Sequence, residues 1–490
     1  MALLIGIDLG TTGCKAAVYD ERGIALGESY LEYGLITLSA TLVEQDPHAW
    51  WNLTLQAVNA ALDAAAADRR AVRGIAVSSQ GISFLLLDED DRPLGNAINW
   101  LDGRATVECD DILVRYRAET LFALTGKRAA PFYVLPKLLW LRRHAPEKWR
   151  AARRLLMGHD YLVYRLCGAH VTDHSLAGGT LLYDLAGLDW SAELLDVFDI
   201  PRRLLPEVRW AGTPVGRLKH EVADALGLRR EVVVAVGGQD QKCAALGAGI
   251  DDRTATVSLG TASAIEQLMA SPATDPAMRI PAFTFLQPAR WVLEGVVGTA
   301  AVSMRWLRDV LGADGYAGLD AAAAKVPVGS DGVRFYPHLS GAGSPHWNVD
   351  ARGSFHGLNL ATSRGHLVRA VMEGVAFQVR ENLEVTQMLA GRAERVIAFG
   401  GGARSALWRA VLGDVLDRPL AWAEAVETAG LGAAMLAGVG CGLFSSVDEA
   451  QRRMLPSLAV RPPDPASAAA YDAAYGAYRR LENTLLAIHT

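Results

Sequence analysis

Two segments of this chain set a Gly-Thr pair at the end of an apolar, β-branched run: Ile5-Gly-Ile-Asp-Leu-Gly-Thr-Thr12 and Thr254-Ala-Thr-Val-Ser-Leu-Gly-Thr261. Glycine lets backbone N–H groups approach an anion closely, and threonine adds a hydroxyl donor, so each turn suits phosphate oxygens. Thr11, Thr12, Gly260 and Thr261 form these cradles, and Lys15 lies just beyond the first, placed to meet a phosphate as a point charge. Asp8 ends an otherwise apolar strand, where a carboxylate is costly unless it caps the turn, is paired or meets a cation. Mg²⁺ held through water fits such a group, because that ion keeps most of its waters. Asp240 follows Gly237-Gly238-Gln239 and opens a helix, which makes it an N-cap, a proton acceptor, or both. Beside the helix dipole its carboxylate is expected to stay ionised.

Other residues are open to two readings. Gly400-Gly401-Gly402 is either a strand-to-helix turn or a stretch of backbone able to lie flat against a planar base. Gln80, Trp100, Asp102 and Arg104 fall at or near strand ends, where Trp100 is either core or a platform for a sugar. Trp50 and Trp51 read as packing on a helix. A G-x4-G-K-[ST] loop, a strand-borne G-x-G-x-x-G and an H-E-x-x-H pair are all missing, which argues against a P-loop enzyme and a zincin.

The elements that must position these residues alternate. Leu3–Asp8, Lys15–Asp20 and Ile24–Leu31 read as strands, and Asp46-Pro47 opens a helix to about Asp68. Arg73–Ser78 and Phe84–Asp88 are strand-like, split by Ser79-Gln80-Gly81. Residues 105–230 are mainly helical, before the strand Glu231–Val236 and the helix Gln241–Gly247. The second half restarts the pattern at Thr254, a repeat on the scale of a domain. Its helix after Thr362-Ser363 carries Leu367, Val371, Val375, Val379 and Leu383 as an i,i+4 ladder. The strand Arg395–Phe399, the helix Ser405–Leu416 and a buried helix from near Thr428 complete it. The expected architecture is two α/β lobes joined near 249–253, facing a shared cleft.

Size and composition agree. A chain of 490 residues exceeds a single core, and 51% hydrophobic with 21% charged residues is ordinary for a globular protein. The 54 acidic residues outnumber the 48 basic ones and no Lys/Arg block stands out, so no nucleic-acid footprint is expected. Five scattered cysteines point to a reducing cytoplasm. The apolar Leu3–Ile7 lacks a basic flank and stops at Asp8, and Gly430–Phe444 is too short to span a bilayer, so no membrane segment is expected.

Further segments carry a family resemblance. Gly353-Ser-Phe-His-Gly-Leu358 with His366-Leu-Val-Arg-Ala-Val-Met-Glu-Gly374 fits the C-terminal signature of the FGGY carbohydrate kinases. Pro136-Lys137-Leu-Leu-Trp140 resembles the N-terminal one, with Val134 where a small polar residue or Pro is usual. Asp8–Thr12, Glu44–Pro47, Trp100–Arg104, Asp160–Leu162 and Gly400–Ser405 also look like family segments. The chain thus resembles that family, especially its xylulokinase-like branch, over nearly its whole length. The resemblance implies two ribonuclease H-like domains of the actin-like ATPase superfamily, 1–249 and 250–490, with ATP and Mg²⁺ in the cleft.

It places the catalytic base at Asp240, the carboxylate near the metal at Asp8, and phosphate binding at Lys15 and the two turns. Gly401, Gly402 and Ser405 fall in the adenosine segment, and Gln80, Gly81, Ile82, Trp100, Asp102 and Gln241 in the sugar region. It also departs there. Xylulokinases carry Met-His after the glutamine and glycerol kinases Arg-Glu, whereas this chain has Gly81-Ile82, and Asp240-Gln241 is nearer the glycerol-kinase pairing. The expected activity is phosphorylation of a small ketose or polyol, with poor use of D-xylulose. Glycerol, a tetritol or another ketose are alternative acceptors, an actin- or chaperone-like ATPase is the rival class, and a homodimer is the expected assembly.

Overall fold

A computed structural model describes residues 1–423 and 427–488. Its first strand, Leu3–Leu9, is buried along nearly its whole length, as a continuous apolar run demands when a sheet is covered on both faces. It pairs antiparallel with Gly13–Asp20, which pairs antiparallel with Ala25–Glu32. On its other side Val72–Ser79 and then Val233–Gln239 add parallel, and Pro214–Arg217 closes the edge of a six-stranded sheet.

The second half repeats this order. Thr254–Ser258 pairs antiparallel with Ser263–Met269, which pairs antiparallel with Trp291–Val297. Arg395–Phe399 and Leu420–Trp422 add parallel on the far side. Two sheets with the same sequence of antiparallel and parallel neighbours confirm the domain-scale repeat and the two-domain α/β fold.

The helices form where caps and stripes dictate. Asp46 caps Pro47–Ala65, its carboxylate accepting from His48 N at 2.8 Å, and Trp50 and Trp51 are buried against the first sheet. That helix stops at Ala66 in left-handed backbone, short of the expected Asp68, because Asp68 caps a separate short turn. Arg364–Ala390 buries the Val371–Leu383 ladder in the core of the second domain. Helix Thr428–Gly440 is apolar on every side and lies between domains. It packs on the first sheet and on helix Asp240–Ala248, and a Cβ on Gly6 would meet Gly430 O at 2.0 Å.

The two strands expected on either side of Ser79-Gln80-Gly81, Val72–Ser79 and Phe84–Leu87, belong to different sheets. The second lies in a five-stranded sheet with Ile36–Thr37, Val43–Gln45, Ala97–Ile98 and Arg154–Met157. The chain crosses between them at Gly81-Ile82-Ser83, a tight turn in which Ser83 N donates to Gly81 O at 2.8 Å and Ile82 adopts φ 55°. A β-branched residue is seldom found with positive φ. Among the described residues no helix is long and apolar enough to cross a membrane.

Candidate active site

Strand register builds the charged end of the site. Asp8 stands opposite Lys15 in the antiparallel hairpin and beside Ser78 in the parallel pair, and Ser78 pairs in turn with Gly238, two residues before Asp240. The Ser78 hydroxyl donates to Asp8 Oδ1 at 2.8 Å. These strand ends open on a cleft of about 1340 Å³, lined by Asp8, Thr11, Lys15 and Asp240 from one side and Gly260 and Thr261 from the other. The second turn is pinned from behind, Ala300 N and Ala301 N donating to the carbonyls of Thr261 and Gly260 at 3.0 and 2.9 Å. Thr12 is exposed beside Tyr30 and does not line the cleft.

Negative charge is in excess here. Burial, then the neighbouring Glu427, pushes Asp8 up to about 6. Burial, then Asp8, pushes Asp240 up to about 8. The expectation of an ionised Asp240 is therefore corrected: desolvation and a second carboxylate outweigh the helix dipole. Lys15 is held by Glu427 at 2.5 Å; burial pulls its ammonium down, but Glu427 more than offsets this and raises it. Asp8, Asp240 and Glu427 line the same cleft, and carboxylates so placed fit a hard divalent cation held through its waters.

Asp240 is set rigidly. Gln239, not Asp240, caps the helix, its side-chain oxygen accepting from Lys242 N. Asp240 Oδ1 accepts from Gln241 N at 2.8 Å and from Gln239 Nε2 at 2.5 Å. The preceding glycines are required by crowding, since a Cβ on Gly237 would meet Val77 O at 1.8 Å. Gly237 N donates to His159 Nε2 at 3.0 Å, while His159 Nδ1 faces Asp160 Oδ1 at 2.9 Å, a pairing that fixes the Nδ1–H tautomer.

The acceptor end is built from the small sheet. Gln80 is buried, donating to Gln45 Oε1 at 2.8 Å and accepting from Asn99 Nδ2 at 3.1 Å. Trp100 is 38% exposed in the cleft, not core, and its indole N–H donates to Thr11 Oγ1 at 2.8 Å. Asp102 faces the same wall but spends both oxygens on Arg104 and on Val43 N, so it braces the wall. Gly81, Ile82 and Gln241 also line this end, together with Phe132, Tyr133, Phe283 and Trp347. Gln241 Oε1 is buried with no hydrogen-bond partner, an acceptor turned to a missing donor.

At the opposite end Gly400 (φ 89°) and Gly401 line a slot with Ala403, Arg404, Phe399 and Trp422, and the Arg409 guanidinium lies 4.3 Å from the Trp422 ring centroid. Gly402 and Ser405 stand behind it: Gly402 N donates to Leu259 O, and the Ser405 hydroxyl caps helix Ala406–Leu416. Sequence reasoning missed Glu427 and Glu294, isolated polar residues that only the fold brings to the cleft, and the Asn99 side chain that braces Gln80 and Gln45 from behind.

The FGGY family of carbohydrate kinases, N-terminal domain, matches residues 3–247, and the C-terminal domain of that family matches residues 255–441. The chain is 34% identical over 489 residues to a xylulose kinase of Escherichia coli (strain K12), covering 99% of each. It is 30% identical over 458 residues to a gluconokinase of Bacillus subtilis (strain 168), covering 91% of this chain and 89% of that protein. The structure of a ligand-bound xylulose kinase from Lactobacillus acidophilus matches with a TM-score of 0.94 at 27% identity, covering 100% of this chain and 99% of that one. Because both domain models match in order and the relatives align over nearly every residue, the chain belongs to the FGGY family of carbohydrate kinases.

Proposed function

We propose that this protein transfers the γ-phosphate of ATP to a hydroxyl of a small ketose or polyol, with Asp240 as general base. The observation that carries the reading is convergence: Asp8, Lys15, Asp240 and two Gly-Thr turns from repeated sheets meet in one cleft. Asp240 takes the proton from the attacking hydroxyl, and its raised affinity for a proton suits a base working near neutral pH. Lys15 exchanges Glu427 for a phosphate oxygen, and the turn amides and hydroxyls steady the charge that develops. Asp8 and Asp240 would hold Mg²⁺ through its waters, and the ion supplies charge neutralisation on the phosphate. The Gly400–Gly401 slot takes the adenine. Five free cysteines support action in a reducing cytoplasm.

A coupled ADP-release screen over ketopentoses, ketohexoses, tetritols and glycerol tests the reading. At least one acceptor is expected to raise ADP release far above the rate with ATP alone. An ADP rate that no acceptor changes would point instead to a plain ATPase.

A further inference from the structure

Behind Asp240 lies a buried charge group that the mechanism above does not use. Lys242, two residues along the same helix and fully buried, meets the carboxylates of Glu266 (3.1 Å) and Glu294. Glu266 is closed off from solvent, but the Glu294 side chain is 13% exposed and lines the cleft beside Phe283, Gln241 and Asp240. Lys242 binds one oxygen of Glu294, and the Glu294 side chain remains part of the cleft lining. The pocket wall there thus carries one fixed anionic acceptor, one orphaned amide oxygen on Gln241 and an apolar remainder around Ile82.

The cleft's cations stand elsewhere. Among the described residues lining it, only Lys15, Arg404 and Arg409 are lysine or arginine. Lys15 belongs to the phosphate end, Arg409 packs on Trp422 at the base end, and Arg404 adjoins the same slot. An acceptor bearing a carboxylate would meet the Glu294 carboxylate with no free cation to pair with. Such a like-charge juxtaposition rejects a ligand strongly.

Building on the kinase reading, we infer that Glu294 determines acceptor specificity: it accepts a hydrogen bond from a distal hydroxyl of a neutral polyol or ketose and excludes aldonic acids. It thereby takes over the gripping role that Gly81-Ile82 leaves open, from the opposite domain.

The test compares wild type, E294Q and E294A on D-xylulose, erythritol and glycerol as neutral acceptors and on D-gluconate and D-xylonate as aldonates. Wild type is expected to use a neutral acceptor at least tenfold better, in kcat/KM, than either aldonate. E294A should raise KM for the preferred neutral acceptor about tenfold or more, the scale of a lost hydrogen bond to a charged group, with KM for ATP unchanged. E294Q keeps an acceptor oxygen but not the charge, so turnover of the neutral acceptor should fall less than in E294A while the aldonate-to-neutral ratio rises about tenfold. Should E294A not fold, as judged by melting and ADP binding, the isosteric E294Q ratio decides alone. Wild type preferring gluconate, or an E294Q ratio equal to that of wild type, overturns the inference and leaves sugar phosphorylation standing. Turnover of none of the five compounds and of no other sugar overturns both.

Discussion

The two Gly-Thr turns sit at the same place in two sheets of the same strand order, yet only one is charged. The first has Asp8 before it and Lys15 across the hairpin. At the second, Ser258 stands where Asp8 does, and its hydroxyl accepts from Ala264 N at 2.8 Å. A duplicated scaffold thus offers two backbone cradles of similar shape, while charge is concentrated on one side. Phosphate can be gripped symmetrically, but the chemistry is one-sided. The lesson is that the repeat supplies geometry, and single side chains at its strand ends supply reactivity.

Substitutions on the charged side should therefore be the most damaging. Asp240→Asn should lower kcat by ~10²–10⁴ with binding of a non-hydrolysable ATP analogue retained; a variant keeping above a tenth of kcat would remove Asp240 from the role of base. In wild type, kcat/KM for the acceptor should climb with pH through a midpoint near 8 and level off above it, since the base must lose a proton held up to about 8.

The same shift has a stability consequence. Asp8 and Asp240 are both raised above 3.8, so the folded, unliganded protein binds protons more tightly than the unfolded chain. The associated stability is fully present below about 3.8 and is lost as pH rises through about 6 and about 8. Asp240→Asn should therefore raise the unliganded Tm at pH 8 by ~2 °C or more and have less effect at pH 5.

Lys15→Met comes next, with a loss of ~10² in kcat, the scale of one charge-stabilising donor. A loss below fivefold would mean that the turn amides suffice. The neutral side should be gentler. Thr261→Val should weaken ATP by ~2–12-fold, the worth of one hydrogen bond, and leave kcat nearly unchanged. A kcat collapse there would break the division between grip and chemistry.

The smallest effect concerns the acceptor. Ile82→His should raise kcat/KM for D-xylulose several-fold, by ~1 kcal/mol of regained hydrogen bonding and some relief at φ 55°. Adding Gly81→Met should forfeit part of that gain, because a Cβ there meets Gln239 Cγ at 3.1 Å and Gln239 holds Asp240. Equal kinetics for the single and double variants would show that Gln239 yields freely.

Much of this was legible from residues alone. The repeat, the hairpin that sets Asp8 against Lys15 and the caps at Asp46 and Ser363 follow from local sequence. Glu427 was not, because its partner Lys15 lies 412 positions away and no local pattern marks it. The ionisation of Asp240 was misjudged for a similar reason, since the helix start is visible in sequence and the burying neighbours are not. The five-stranded sheet escaped notice because its strands run only two to four residues, too short to display a period. The all-round apolarity of Thr428–Gly440 announced burial but not which sheet would cover it.

That helix has a consequence for biosynthesis. The strands of the first sheet emerge from the ribosome by Gln239, but the helix that covers one of its faces ends at Gly440. At ~5–20 residues per second, the interval is roughly 10–40 s, during which Leu4, Ala76 and Ala235 lack their native cover. Glycine-to-backbone contacts such as Gly6 on Gly430 leave no room for a substitute element, so the nascent first domain must wait for its own distant helix. The exposed face is the natural point of capture for a chaperone, and truncation before residue 428 strands it permanently.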